Sequence, residues 1–227
     1  MQLLNRVTRS LRGRLLDHRR EAILTIALAA IWLVGSTGGL GVLASYATSA
    51  PHDSEAPRTW PSASEISRES GAACVVVFVH PRCPCSSATL SELNRVLARG
   101  PAGTSITIAF YAPTSQPAGW GRAGLRERAE SLPGVRIIDD IDGREASLFG
   151  AVNSGHTVVY GPDGKLWFHG GITASRGHEG DNLGADCVVA ALNNRALAAT
   201  TTPTFGCEIA PRNEGSECPL CMENASR

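Results

Sequence analysis

The sequence predicts an α/β domain whose helices cover a sheet, preceded by one N-terminal transmembrane helix. Three observations lead to this fold class. Residues 22–46 carry no charged side chain, and a helix across a bilayer needs roughly 20 apolar residues. Strand-like and helix-like segments then alternate along the chain, as they do in α/β domains. Finally, strand-like segments 157–160 and 165–168 flank Gly161-Pro162-Asp163-Gly164, a turn sequence that predicts an antiparallel hairpin.

The charges around the apolar run predict the orientation of the chain. Residues 1–21 carry six arginines against Asp17 and Glu21, a net +4, which leaves −4 for residues 22–227. Arginines before a membrane span stay in the cytoplasm, so we expect a single-pass protein of the cytoplasmic (inner) membrane with its C-terminal domain in the periplasm or outside. A cleaved signal peptide is the alternative, with small-residue sites at 45–47 and 48–50. The downstream part has no basic surplus, which argues against nucleic-acid binding.

Composition divides the chain into five segments. Residues 1–21 are predicted to be a basic cytoplasmic segment and 22–46 the transmembrane anchor. A linker rich in Ser, Ala and Pro follows at 47–71. The compact domain spans 72–207, and 208–227 form a polar tail that contains cysteines.

The elements of the compact domain follow from local patterns. Residues 74–79 are continuously apolar, as in a strand buried on both faces. Helix 86–99 has Leu90, Leu93 and Leu97 on one face and stops at Gly100-Pro101. The predicted elements, in order, are strand 74–79, helix 86–99, strand 106–111, helix 125–132, strand 135–138, helix 142–149 with a capping box of Asp142 and Glu145, the hairpin, and helix 183–197 with Asp181 as its cap.

Cys83-Pro84-Cys85 lies where the first strand is followed by the first helix. Backbone N–H groups at a helix start are unpaired and the helix dipole is positive there, so a thiolate is stabilised and its pKa falls. Arg82 and His80 are close enough in sequence to assist, and Pro84 suits a first helical turn. A thiolate attacks disulfides, so the pair is a candidate redox site; two structural cysteines in a turn are the alternative.

The spacing of the pair has its own consequence. One intervening residue makes a disulfide between Cys83 and Cys85 strained, and a strained disulfide is easier to reduce. The pair is therefore predicted to be more oxidising than a two-residue-spaced pair, or to shuffle disulfides, or to clamp a metal ion. Spacing alone leaves these three open.

The order of elements resembles the thioredoxin-like superfamily, in its extracytoplasmic branch with a helix–strand–helix insertion. The resemblance covers residues 72–199 and includes the TlpA-type thiol reductases and the Sco-type copper proteins. The motif Val79-His80-Pro81-Arg82-Cys83-Pro84-Cys85 and the later stretch 170–182 are most similar to RedB-type membrane proteins. The resemblance implies a thioredoxin-like fold with an N-terminal transmembrane helix.

One position departs from the thioredoxin pattern. Thioredoxins place a cis-proline before the hairpin strand, facing the cysteines, and here His156 stands at that place. Sco-type proteins have a histidine there that binds copper together with two cysteines. The resemblance therefore implies a second hypothesis, a copper(I) site of Cys83, Cys85 and His156. A strand-end histidine without a ligand, or one with a catalytic role, are the other interpretations.

Five further cysteines make the total odd, seven. Cys74 and Cys187 lie in apolar surroundings and are predicted to be core residues. Cys207 is a candidate third, resolving thiol or a partner for a tail cysteine. Cys218 and Cys221 are predicted to form a tail disulfide, with an auxiliary redox pair as the alternative. The glycine-rich stretch 170–182, with His178 and Glu179, is predicted to be a structural loop.

The sequence as a whole predicts thiol–disulfide exchange outside the cytoplasm. Cys83 and Cys85 are the expected catalytic pair, and His80, Arg82, His156 and Cys207 the auxiliary residues. Protein thiols and disulfides are the expected partners, the N-terminal helix contacts the membrane, and no cofactor is expected. Copper(I) delivery and a non-catalytic thioredoxin-like scaffold are the alternative functions.

Overall fold

The computed structural model describes residues 2–49, 55–69, 71–101, 104–117, 119–121 and 124–210. The chain divides into two compact units, residues 1–46 and 47–227. The first unit is helical, within α1 (Gln2–Thr48). Its segment Arg19–Thr48, 30 residues long, is long and apolar enough to cross a membrane, and side chains such as Ile31 and Trp32 are exposed. The N-terminal apolar helix predicted from the sequence is thus present as a candidate transmembrane span.

The second unit is built on a six-stranded mixed sheet with strand order β3-β2-β1-β4-β5-β6. Strands β1, β2 and β3 are parallel, β4 is antiparallel to β1, β5 is antiparallel to β4, and β6 is parallel to β5. The elements are β1 (Cys74–Val79), α2 (Ser86–Arg99), β2 (Ser105–Ala112), α3 (Leu125–Glu130), β3 (Val135–Ile141), α4 (Arg144–Leu148), β4 (His156–Tyr160), β5 (Leu166–Gly171), α5 (Leu183–Leu192) and β6 (Thr201–Thr202). The order confirms the predicted fold class, an α/β thioredoxin-like fold with the insertion α3-β3-α4.

The central strand β1 divides the core into two layers, because successive side chains of a strand point to opposite faces. Val75, Val77 and Val79 pack in one hydrophobic cluster with residues of α2 and α5. Val76 and Phe78 pack in a second cluster on the other face, with Phe149 and Tyr160. Helix α2, which follows the cysteine pair, therefore covers only one face of the sheet.

The last helix differs from its prediction in where it ends and in which residue caps its start. The last helix ends at Leu192 instead of 197, because Asn194 adopts a positive φ of 52° and the N–H of Arg195 returns to the carbonyl of Ala190 at 2.8 Å. Its N-cap is Asn182, whose side chain accepts from the N–H of Ala185 at 2.8 Å, and not Asp181. The one-residue error arises because both residue types are good N-caps.

The predicted capping box before α4 is also corrected. Asp142 has a positive φ of 51°, and its carboxylate accepts hydrogen bonds from Thr114 instead of capping the helix. The capping carboxylate belongs to Asp140, which accepts from the N–H groups of Glu145 and Ala146 at 2.8 and 2.9 Å. Strand β3 extends to Ile141, so Asp140 is still in the strand when it caps α4.

The boundaries of the compact unit are wider than predicted. Part of the predicted linker packs on the domain: Trp60 makes edge contacts with Phe149 and Tyr160 at centroid distances of 5.0 and 5.3 Å, and Ile66 is buried. At the other end Ile209 is buried, and its N–H donates to the carbonyl of Val152 at 2.9 Å. Both segments are held by apolar and backbone contacts with residues distant in sequence. Such contacts cannot be predicted from local composition.

Candidate active site

The cysteine pair lies in the connection between β1 and α2. After β1 ends, the N–H of Cys83 donates to the carbonyl of His80 at 3.0 Å and closes a turn. The N–H of Ser86 then donates to the carbonyl of Cys83 at 3.1 Å. Cys85 is the N-cap residue of α2, with φ −66° and ψ −25°. The predicted position of the pair at a helix start is therefore observed.

Cys83 is completely buried and surrounded by hydrogen-bond donors. The backbone N–H of Cys207 donates to its Sγ at 3.3 Å. The side chains of Cys207, Cys85 and Ser86 are also within hydrogen-bonding reach of this sulfur. These donors, the Cys207 side chain foremost, lower the pKa of Cys83 far below its usual range in spite of the burial that opposes ionisation. These donors therefore favour a negative charge on the Cys83 sulfur.

Cys85 is half-buried, so its sulfur can be approached from solvent. Its thiol hydrogen-bonds to the Cys83 sulfur, and this bond, together with burial and the Cys83 charge, raises the pKa of Cys85 well above its usual range. The guanidinium of Arg176 hydrogen-bonds to Cys85 and acts in the opposite direction. The two thiols therefore titrate together, with the thiolate favoured at Cys83 and the thiol at Cys85.

Cys207 reaches the pair through a bridge between two distant segments. Asn153 and Glu208 form an antiparallel bridge, and the N–H of Ser154 donates to the carbonyl of Cys207 at 2.8 Å. Gly206 permits this approach, since a Cβ there would lie 1.8 Å from the carbonyl oxygen of Ser154. The structure thus brings the predicted auxiliary residue Cys207 directly to Cys83.

Two serines behind Cys83 were missed in the sequence. Ser154 Oγ accepts from the backbone N–H of His80 at 2.7 Å and lies 2.6 Å from Ser86 Oγ, and both serines are buried. With the single Ser86 proton donated to the Cys83 sulfur, Ser86 accepts from Ser154, and Ser154 in turn accepts from the N–H of His80. Ser154 precedes β4 and has no sequence signal that links it to the cysteines.

Arg176 was also missed. It lies in the glycine-rich loop between β5 and α5, which was predicted to be only structural, and its Nη1 donates to the carbonyl of Gly206 at 3.2 Å. The same guanidinium contacts Cys85, so this loop forms part of the site wall. The neighbouring His178 and Glu179 are exposed.

His80 and Arg82, two predicted auxiliary residues, lie beside the pair and pack on aromatic rings. His80 Nδ1 accepts from the N–H of Arg82 at 3.2 Å, and its ring stacks on Tyr111 at a centroid distance of 5.7 Å. Burial lowers the pKa of His80, with a partial compensation from Cys83. The Arg82 guanidinium lies over the Trp120 ring, 5.0 Å from its centroid. Both side chains are thus positioned by aromatic contacts next to the cysteines.

His156 does not face the cysteines, which corrects the prediction. It pairs with Phe78 across β1 and β4, so it lies on the same sheet face as Phe78, opposite to the face that α2 covers. Its Nδ1 is 3.3 Å from Thr204 Oγ1, and its ring is 5.9 Å from the His169 ring. Among the described residues, no group of three or more His, Cys, Asp or Glu is arranged to hold a metal ion. Cys83, Cys85 and His156 are therefore not grouped as a three-residue donor set, and copper binding stays a prediction.

The remaining cysteines divide into two groups. Cys74 and Cys187 are buried core residues, as predicted. Cys218 and Cys221 lie outside the described residues, so their predicted disulfide stays a prediction.

Comparisons with known proteins show the fold. No protein-family model matches the chain, and no curated protein matches it either. Among solved structures, an uncharacterized conserved protein from Geobacillus kaustophilus is 21% identical, with a TM-score of 0.52 over 75% of this chain and 96% of that one. A hypothetical protein from Sinorhizobium meliloti is 20% identical, with a TM-score of 0.47 over 61% of this chain and 79% of that one.

A third similar structure is a secreted Mycobacterium tuberculosis disulfide oxidoreductase homologous to E. coli DsbE. It is 21% identical, with a TM-score of 0.32 over 43% of this chain and 67% of that one. The likenesses to the Sinorhizobium and Mycobacterium structures are weak, and the likeness to the Geobacillus structure is one of fold alone. By its strand order and the placement of its cysteine pair, the chain has a thioredoxin-like fold.

Proposed function

We propose that this protein carries out thiol–disulfide exchange on the non-cytoplasmic side of a membrane, with the Cys83-Pro84-Cys85 pair as its redox centre and protein thiols or disulfides as its substrates. One observation supports this most: a buried sulfur, Cys83, surrounded by hydrogen-bond donors and coupled to a half-exposed sulfur, Cys85. The thiolate is the attacking species in exchange, and this site stabilises one thiolate per pair.

The two sulfurs have different roles because they differ in access. Cys83 is fully buried, whereas Cys85 is partly exposed and contacts Arg176. A proton shift from Cys85 to Cys83 gives a Cys85 thiolate beside the guanidinium. That thiolate attacks one sulfur of a substrate disulfide, forms a mixed disulfide and releases the other substrate sulfur as a thiolate. Cys83, after losing its proton, attacks the Cys85 sulfur and releases the second substrate thiolate.

The test is the reduction of insulin disulfides, with dithiothreitol as the electron source. We expect Cys83→Ser and Cys85→Ser each to lower the rate by about 100-fold, since each removes a reacting sulfur. Cys187→Ala, a buried cysteine on α5, is the matched control: it should lower the free energy of unfolding with the activity retained. Full activity in both single variants of the pair would refute the proposal and favour a scaffold.

A further inference from the structure

The third cysteine of the site contacts the same sulfur as the second. The backbone nitrogen of Cys207 lies 3.3 Å from Cys83 Sγ. Since an N–Cα bond is about 1.46 Å long, the Cα of Cys207 lies at most about 4.8 Å from that sulfur. Its thiol is also within hydrogen-bonding reach of Cys83. A rotation about χ1 of Cys207 is the kind of change that brings the two sulfurs to bonding distance. Cys83 therefore has two neighbouring thiols, Cys85 and Cys207.

The two alternative partners of Cys83 differ in geometry. Cys85 is separated from Cys83 by one residue, and Pro84 fixes a backbone torsion between them, so a bond there is strained. Cys207 approaches from a separate segment, which is held by the Asn153–Glu208 bridge and by the hydrogen bond from Ser154 to Cys207. A side chain from a separate segment can adopt its preferred torsions without distorting the helix start.

We propose that Cys207 is the final resolving cysteine, and that the stable oxidised form of this protein contains a Cys83–Cys207 disulfide with Cys85 as the thiol that meets the substrate. This inference rests on the proposed exchange function. It assigns the two-electron pair to Cys83 and Cys207, and it makes the Cys83–Cys85 bond a transient intermediate.

The reaction balances as three exchanges. Cys85 thiolate attacks a substrate disulfide and releases one substrate thiolate. Cys83 thiolate attacks Cys85 of the mixed disulfide, forms the Cys83–Cys85 bond and releases the second substrate thiolate. Cys207 thiolate, its proton passed to solvent, attacks the Cys83 sulfur, forms the Cys83–Cys207 bond and releases Cys85 as a thiolate. The substrate disulfide gains two electrons and Cys83 with Cys207 loses them; the reverse sequence oxidises substrate thiols.

Arg176 is placed to assist the last step. Its guanidinium contacts Cys85, the leaving sulfur, and donates to the carbonyl of Gly206, next to the attacking residue. A positive charge at the leaving thiolate favours its departure, because a thiol of lower pKa leaves faster. One side chain therefore fixes the Cys207 segment and stabilises the sulfur that this segment displaces.

The test uses the full-length chain in detergent, oxidised with oxidised glutathione and then alkylated with iodoacetamide. Mass spectrometry of proteolytic peptides should find Cys83 linked to Cys207 as the main disulfide and Cys85 alkylated. A dominant Cys83–Cys85 bond with alkylated Cys207 would overturn the inference, and so would a Cys207 bond to Cys218 or Cys221.

Two variants test the order of the steps. Cys85→Ser should still form the Cys83–Cys207 bond on prolonged oxidation. Its reaction with oxidised glutathione should slow by at least about tenfold, because it lacks the half-buried thiol that Arg176 contacts and leaves the first attack to buried Cys83 or half-buried Cys207. Cys207→Ser should stop at the Cys83–Cys85 bond, which reduced glutathione opens at least about tenfold more readily than the wild-type bond. A wild-type rate in Cys85→Ser, or unchanged reducibility in Cys207→Ser, would contradict the inference.

Failure of this inference differs from failure of the function itself. If Cys83→Ser and Cys85→Ser lose insulin reduction while wild type accumulates Cys83–Cys85, exchange stands and the role of Cys207 is wrong. If neither single variant loses activity, the exchange function is wrong.

Discussion

Arg176 and Ser154 place the two cysteines of the pair in different environments, a difference that the motif itself does not predict. Arg176 contacts the sulfur of Cys85, and Ser154 lies behind Cys83 through Ser86. A pair at a helix start has the same dipole on both sulfurs, so local structure favours thiolates without selecting one. The donors around Cys83 and the guanidinium beside Cys85 are what distinguish a charged, buried sulfur from an accessible one.

His156 is a buried histidine whose protonation should lower the free energy of unfolding in acid. It is 1% exposed, and burial, with a smaller effect of His169, lowers its pKa to about 3. Unfolded, its pKa returns to about 6.5, so between pH 6.5 and 3 the unfolded state binds more protons than the folded state. The free energy of unfolding should therefore fall as the pH falls through this window, by up to about 1.4 kcal/mol per pH unit.

Urea unfolding of wild type and His156→Gln between pH 7 and 4 measures this effect. The variant should be less stable at pH 7, where the packed neutral ring is lost, and its stability should depend less on pH. His178→Gln, at an exposed histidine, is the control and should keep the wild-type slope. An unchanged slope in His156→Gln would contradict the assignment.

Helix α2 and the loop between β5 and α5 are joined through one buried carboxylate. Glu92 of α2 is 2% exposed and accepts from the N–H of Gly180 at 2.7 Å and from Asn182 Nδ2 at 3.3 Å. Arg95 Nη1 completes its hydrogen bonds at 2.9 Å. The loop that carries Arg176 is thereby fixed to α2, the helix that follows the cysteines.

Glu92→Ala should weaken both stability and the site. The N–H of Gly180 loses its acceptor and Asn182 Nδ2 keeps only the carbonyl of Gly180, which costs about 2 kcal/mol in the free energy of unfolding. A looser loop should also hold Arg176 less firmly at Cys85 and slow alkylation of that thiol at neutral pH. Chemical unfolding and iodoacetamide labelling measure the two effects, with exposed Glu127→Ala as control. A loss of stability with an unchanged labelling rate would show that the loop does not affect the reactivity of Cys85.

For the whole molecule, the N-terminal helix and the arginines before it predict the side of a membrane on which the domain lies. Arg19–Thr48 is long and apolar enough to span a bilayer, and arginines are concentrated before it. Residues preceding a span and rich in arginine remain in the cytoplasm, so the domain should lie on the other side, where disulfides persist.

A reporter active only outside the cytoplasm, fused after Gly180, should be active, and a cytoplasmic reporter at the same point inactive. Extraction at alkaline pH should leave the protein in the membrane fraction if the helix is retained. The opposite pattern of reporters would reverse the orientation, and release on alkaline washing would indicate a cleaved signal.

Elements with a local signal could be predicted from the amino-acid sequence. The apolar run of β1, the leucine face and Gly-Pro stop of α2 and the hairpin turn predicted elements that the structure contains, because each depends on neighbouring residues. The sequence also located the cysteine pair at a helix start, since that position follows from the order of strand, motif and helix.

The residues that complete the site around the cysteine pair come from distant segments, and their positions depend on tertiary contacts. Cys207, Ser154 and Arg176 come from segments far from the motif, and their approach depends on a backbone bridge and a loop that no local pattern encodes. The opposite outcome for His156 has the same cause: a strand alternates its side chains, so the pairing with Phe78 decides which face the imidazole takes. Local sequence sets which residue stands before a strand, but strand register, a long-range property, sets what it faces.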